Sequence, residues 1–488
     1  EVSVWSYGNE QGHGKLAVQG RKPGGLYHET HRAVQEDKGG WQLHRLRFHI
    51  PFARQPSRLA VYVYTDGWEQ IYFDDLMIKK VDRWQAEHFR PGKIELILDD
   101  KALEKLETKR LAALHAGILE RSEDDWVKAQ LRTDSSRHME AKVRLKGDWL
   151  DHLRGNKWSF RVKLKDQWTW RGMRTFSLHT PAARYYLHEW LLHQLWHKMG
   201  VLSTRYDFVE LLVNGKSWGI YAYEEHFEKQ LIEAQARREG PILKFDESGF
   251  WAAMSRQLEH HGFIRPSSGY RSQEMASAPL TSFSSVEELR DKPLLAEQYA
   301  QAYRLLSGVR EGSLALDRAF DLKLMALYYA GADLLNAYHG IVWHNQRFYY
   351  NPVTDRLEPI GFDGFAEAPA RRYFFLGEGS QRTDDPLVQS LFPRFMQDSV
   401  FVRYYLRALE TYSRPHVWQS FMDSLSGQWT ARAEWLAMEF PDYQFSPDAC
   451  AEEVAFVRSH LLPFPTHSVQ ARRSRQGLAV RNFHTLPL

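Results

Sequence analysis

Two oxygen-bearing side chains bracket a β-hairpin in Tyr338-His-Gly-Ile-Val-Trp-His-Asn-Gln-Arg-Phe-Tyr-Tyr-Asn-Pro-Val-Thr-Asp-Arg-Leu-Glu-Pro-Ile-Gly-Phe-Asp-Gly364. Asn345 immediately precedes the strand Gln346–Tyr350. A turn over Asn351–Asp355 follows, and the return strand Leu357–Phe362 delivers Asp363. Short arms bring the chain back beside its start, so Asn345 and Asp363 can face one point. Amide and carboxylate oxygens are the ligands that Mg²⁺ or Mn²⁺ takes when it bridges phosphates. His339 lies six residues before Asn345 and, when neutral, can accept a hydroxyl proton. The plainer reading has Asn345 capping a turn and Asp363 closing a strand.

Cations upstream fit the same chemistry. Val143-Arg-Leu-Lys-Gly-Asp148 and Lys157-Trp-Ser-Phe-Arg-Val-Lys163 place basic side chains on adjacent strands. A lysine ammonium on a sheet, Lys146 or Lys157, is a point charge for a nucleotide phosphate. Glu225, at the end of Gly219-Ile-Tyr-Ala-Tyr-Glu-Glu225, can orient such a lysine or contact the nucleotide. A solvated charged sheet face is the competing interpretation.

Several elements must position these groups. Residues 1–89 read as short strands with polar turns, among them Leu59–Tyr64 and Ile71–Ile78, and predict an antiparallel β-sandwich. Arg90-Pro-Gly92 marks a boundary, and strands follow at Lys93–Leu98, Asp125–Arg132, Glu140–Lys146 and Lys157–Leu164. Leu187, Leu191 and Leu195 make the stripe of a helix over Ala183–Met199, ended by Gly200. Asn214-Gly215 is a hairpin turn between Phe208–Val213 and Ser217–Tyr223. Residues 250–285 show little periodicity and read as a surface insertion. Helical patterns fill Ala296–Leu335 and most of the chain to His460. A linker at 461–475 and an opening strand from Gly477 suggest a domain that continues beyond this sequence, and Glu1 reads as a processed or excised start.

Composition removes other classes. Among 488 residues the net charge is +3, so no basic field argues for nucleic acid. No apolar run approaches the length of a membrane span, and one cysteine, Cys450, rules out an intrachain disulfide. There is no nucleotide-binding glycine loop and no serine-hydrolase elbow. His188 and His193 are five apart, which breaks the zinc-protease helix pattern; His193 and His197 share a face but lack a third ligand. The 17 tryptophans divide. Trp5, Trp41 and Trp68 suggest sugar stacking in the N-terminal module, whereas Trp158, Trp168, Trp170, Trp190, Trp196 and Trp218 read as core.

In their order, Val143–Asp148, Lys157–Lys163, Val213-Asn-Gly-Lys-Ser-Trp-Gly-Ile-Tyr-Ala-Tyr-Glu-Glu225, Ile242-Leu-Lys-Phe245, His344-Asn-Gln-Arg-Phe-Tyr-Tyr350 and Pro359-Ile-Gly-Phe-Asp363 resemble the spore-coat protein H (CotH) kinase family. The resemblance spans roughly residues 93–460. The strands before it resemble the jelly-roll modules found beside carbohydrate-active enzymes. The implied fold class is α+β: an antiparallel sandwich (1–89), then an atypical protein-kinase-like domain (93–460) with a mixed sheet lobe and a helical lobe. The implied activity is transfer of phosphate from ATP, with Mg²⁺ or Mn²⁺, to serine hydroxyls of secreted or surface proteins, outside the cytoplasm or at the cell surface. Carried over by position, Lys146 or Lys157 holds phosphates, Glu225 is the sheet glutamate, and Asn345 and Asp363 hold the metal. The N-terminal module adds a polysaccharide as a partner. The sequence departs from the family at two places. Asn336-Ala-Tyr-His339 stands where members carry Asn-x-Asp, and Phe362-Asp-Gly-Phe365 stands where they carry Trp-Asp-x-Asp. Two readings therefore stand open: a kinase with His339 or Asp333 as base, or a pseudokinase serving as a surface or polysaccharide-associated scaffold. A carbohydrate hydrolase is a third.

Overall fold

A computed structural model describes all residues other than 9–13, 21–26, 32, 38, 47, 49–57, 66–69, 80–91, 121, 135–136, 154, 156, 166–167, 263–271, 370–371, 373–389, 462–468, 475–476 and 483–488. The first seven strands are β1 (Val2–Tyr7), β2 (Lys15–Gly20), β3 (Tyr27–Thr30), β4 (Ala33–Glu36), β5 (Gln42–Leu46), β6 (Leu59–Tyr64) and β7 (Tyr72–Ile78). They form two antiparallel sheets, ordered β4-β5-β1-β7 and β3-β2-β6. Alternate residues of each sheet meet: Val2, Val4, Leu16, Val18 and Leu46 make the core. Trp5 and Trp41 are half-buried, and the Trp41 ring lies 5.4 Å from Tyr7; Trp68 lies outside the described residues.

The next strands are β8 (Lys93–Ile97), β9 (Val127–Thr133), β10 (His138–Leu145), β11 (Phe160–Leu164), β12 (Thr175–His179), β13 (Leu202–Ser203), β14 (Tyr206–Val213) and β15 (Lys216–Glu225). Seven of them close into a barrel, ordered β10-β11-β12-β15-β14-β8-β9. Asp99 caps the helix Asp100–Ala116 by accepting from the Ala102 amide at 2.7 Å. The β14–β15 turn puts Asn214 and Gly215 both at positive φ, which is the geometry that Asn-Gly favours. Val143, Leu145, Phe160, Val162, Phe176, Leu178, Tyr221 and Tyr223 fill the barrel. With the two-residue period of a strand, Arg144, Arg161, Ser177 and Glu224 must then point outward.

A second sheet, ordered β13-β19-β18-β16-β17, uses β16 (Ile242–Phe245), β17 (Leu280–Ser282), β18 (Arg347–Asn351) and β19 (Arg356–Gly361). Between this sheet and the barrel runs the helix Leu187–Met199, whose Leu191, Leu192, Leu195 and Trp196 are fully buried. The helices Pro293–Glu311, Leu322–Leu334, Ser399–Tyr412, Pro415–Ser424, Ser426–Ala437 and Pro447–Leu461 complete the largest core. Trp158, Trp170, Trp190 and Trp196 are buried, as expected of core residues, whereas Trp168 and Trp218 are half-buried and pack against the barrel core.

Two readings change. Part of the segment expected as an aperiodic insertion, Ser248–His261, is a helix. Phe250, Met254 and Leu258 recur every fourth residue, and the first two pack on Ile118. Part of the expected linker at 461–475 is strand β20 (Val469–Ser474), paired antiparallel with β21 (Gly477–Asn482). No helix among the described residues is long and apolar enough to cross a membrane.

Candidate functional site

One row of side chains crosses the outer face of the barrel. Arg144 pairs in register with Arg161, Arg161 with Ser177, Ser177 with Glu224, and Glu224 with Tyr206. The next residue along β10 is Leu145, and the one after it is Lys146, which returns to the outer face. The Lys146 ammonium donates to Glu224 at 3.1 Å, and both side chains are buried. Burial drives the Lys146 pKa down, against the pull of Glu224, to about 8. Burial alone would raise Glu224, but Lys146, His179 and Arg184 outweigh it and hold the carboxyl at about 2. The pair is therefore charged at neutral pH.

The β18–β19 hairpin delivers Asp363 to the opposite wall. Three contacts fix the end of this arm. The Thr204 amide donates to the Gly361 carbonyl at 3.1 Å, and the His339 amide donates to the Gly364 carbonyl at 3.0 Å. The buried carboxylate of Glu189, in the first turn of Leu187–Met199, accepts from the amides of Gly364 and Phe365, both at 3.0 Å. Asp363 itself has φ 57°, a left-handed conformation that costs a non-glycine residue on the order of 1 kcal/mol. A Cβ at Gly364 would overlap the buried Leu192 side chain, which would have to shift to admit it.

The Asp363 carboxylate is ion-paired to the guanidinium of Arg184, from the short turn Pro181–Arg184 that precedes the helix. His339 Nε2 lies 3.6 Å from the other Asp363 oxygen. Asn345 stands beside them, its amide nitrogen donating to the His339 carbonyl at 3.1 Å. Burial, then the Arg184 charge, push the His339 pKa well below the ordinary histidine value; burial, Arg347 and Arg184 do the same to His344. Both imidazoles are neutral at physiological pH. Arg184 also acts on Lys146, Glu224 and His179, so its charge links the two walls.

Farther along the same face the cleft becomes more basic. After burial, the charges of Arg161, Arg144, Lys244 and Arg347, in that order, lower the His226 pKa. The Arg347 guanidinium lies over the rings of Phe227, Phe283 and Phe362 at 5.4, 5.5 and 5.5 Å. Next to this cage is a cavity of about 480 Å³ between the barrel and the second sheet, lined by Lys163, Arg174, Phe227, Ile242 and Phe283 among others.

Thus the structure brings Lys146, His339, Asn345 and Asp363 to one cleft. It places three other expected residues elsewhere. Lys157 donates to the Ile220 carbonyl at 2.6 Å, pairs with Glu439 at 2.8 Å and lies 4.4 Å over the Tyr221 ring. It is a strut between barrel and helices. Glu225 binds Arg205, whose Nε lies 2.8 Å away. Adjacent strand residues face opposite ways, so Glu224, not Glu225, meets the lysine. Asp333 accepts from the Tyr405 hydroxyl at 2.8 Å and lies 3.4 Å from Arg372, buried within the helices. Arg184, Glu189 and Glu224 escaped the sequence reading. Alternation could have separated Glu224 from Glu225 had the register of β10 and β15 been known.

The carboxylate that a divalent metal would need is already engaged. Asp363 is committed to a guanidinium and faced by an imidazole, and position 365 is phenylalanine. Mg²⁺ at such sites is held by one or two carboxylates together with phosphate oxygens and water, so the occupancy of Asp363 is what bears on it. A cleft lined from both walls by arginine and lysine is instead the composition of an anion-accepting site. The sequence profile of the CotH kinase protein family matches residues 143–415, more than half of the chain, and the chain belongs to that family. No curated protein matches it.

Proposed function

We propose that this chain is a two-lobed, kinase-like phosphotransferase that takes ATP in the cleft between barrel and second sheet. The phosphates lie against Lys146, Arg184 and Arg161, and the cavity beside Phe227 and Phe283 takes the rest of the nucleotide. The serine oxygen of a protein acceptor, expected on a secreted or surface protein, bonds to the γ-phosphorus. The bridging oxygen–phosphorus bond breaks, ADP leaves, and the hydroxyl proton passes to neutral His339. Asp363, beside His339, stabilises the imidazolium formed.

The observation that carries this reading is the buried Lys146–Glu224 pair set across from Asp363, with Arg184 between them. A buried lysine kept charged by a carboxylate is the phosphate-binding device of kinases. The test is incubation with γ-phosphate-labelled ATP, followed by mapping of labelled serines. Label that disappears in His339→Ala supports the reading; label unaffected by Lys146→Met contradicts it. The Arg184–Asp363 ion pair favours a second reading, in which the cleft binds nucleotide without turnover. ATP binding with no label on any serine would establish that one.

A further inference from the structure

We infer that Arg184 is a resident cation at Asp363, so that this cleft holds the phosphates of a nucleotide without a divalent metal. The inference rests on the nucleotide reading above and goes beyond it, because the family resemblance implies Mg²⁺ or Mn²⁺.

Three observations carry it. First, Arg184 is buried, its Nη1 donates to the Ala183 carbonyl at 2.6 Å, and its guanidinium is ion-paired to Asp363. A guanidinium cannot lose its proton, so the charge is permanent. To reach Asp363 a metal would have to displace a buried cation and leave it unpaired, a costly exchange. Second, the neighbours add little hard-oxygen coordination. His339 presents a nitrogen, Nε2, 3.6 Å from Asp363, and Asn345, whose amide nitrogen is held on the His339 carbonyl, offers a single amide oxygen. Third, positive charge is already built into the cleft. Lys146 and Arg161 flank Arg184 on the barrel wall, and Arg347 stands on the opposing sheet within electrostatic range of His344. Fixed cations of this kind supply the neutralisation that a bridging metal supplies elsewhere.

The experiment is equilibrium binding of ATP to the full chain in excess EDTA, in excess Mg²⁺ and in excess Mn²⁺. The expected dissociation constants agree within about twofold across the three. Arg184→Gln should weaken metal-free binding at least ~10-fold, and Arg184→Lys should retain most of it. Asp363→Asn should tighten metal-free binding, because it removes the anion that competes with phosphate for Arg184. Binding at least ~10-fold tighter with metal than in EDTA overturns the inference, as does weaker binding by Asp363→Asn in Mg²⁺ or Mn²⁺, the sign of a metal ligand. Metal-dependent binding leaves the nucleotide reading standing. Absence of ATP binding under all three conditions removes both.

Discussion

Replacing Lys146 by methionine separates two roles that the structure gives this lysine. The substitution keeps most of the buried volume and leaves the Glu224 carboxylate without its 3.1 Å partner. Glu224 then has a cheaper course than remaining charged, which is to take a proton. Its ordinary pKa is 4.5. Protonation at pH 7 across that gap, at about 1.4 kcal/mol per pH unit, caps the destabilisation at roughly 3.4 kcal/mol. The cap falls by about 1.4 kcal/mol for each unit of decrease in pH. Urea unfolding, followed by tryptophan fluorescence at pH 7 and pH 6, measures the gap between wild type and variant. The expected gap is about 3.4 kcal/mol at pH 7, the protonated limit, and about 1.4 kcal/mol smaller at pH 6. Glu224→Gln added to Lys146→Met should recover most of the stability but none of the nucleotide affinity. A gap that does not respond to pH, or a double variant no more stable than the single one, would refute the pairing argument.

Other consequences follow from the same contacts. Tyr405→Phe removes the donor to buried Asp333 and should cost about 1–3 kcal/mol in denaturant titration, with ATP affinity unchanged. Glu189→Ala strips the acceptor from the Gly364 and Phe365 amides; phosphotransfer should drop at least ~10-fold through displacement of Asp363, and label transfer measures it. Burial keeps His179 at about 3 and His188 at about 4, and holds His226, His339 and His344 well below the ordinary value. These histidines are neutral in the folded state and protonate on unfolding. Their contribution is therefore present above the unfolded pKa, near 6.5, and lost as pH falls below it. The protein should lose stability steeply between pH 6.5 and 5, on the order of 1 kcal/mol per histidine per unit, as pH-resolved unfolding would show.

The hairpin that places Asp363 was legible because its determinants are local. Asn351-Pro-Val-Thr-Asp355 is strong turn chemistry, and the arms on either side are apolar strands. The Asn214-Gly215 hairpin was legible for the same reason. Strand register is not local. Whether Glu224 or Glu225 meets Lys146 depends on β10 reaching β15 through β11 and β12, and no short segment encodes that. Arg184 was equally hidden. Nothing in Pro181-Ala-Ala-Arg184 announces a charge partner 179 positions away, and the contact exists only because the helix Leu187–Met199 packs between barrel and sheet. The helix Ser248–His261 was missed although its stripe is present, because polar residues outnumber the three apolar positions that define it.

The central claim is that Lys146 and its neighbours hold nucleotide phosphates in this cleft. Titration of ATP into the wild-type chain and into the Lys146→Met, Glu224→Gln double variant tests it most directly, because that variant keeps the buried volume without an unpaired charge. Saturable binding by the wild type, weakened at least ~10-fold in the variant, is the predicted result. Equal affinity in the two, or no binding by the wild type, would contradict it.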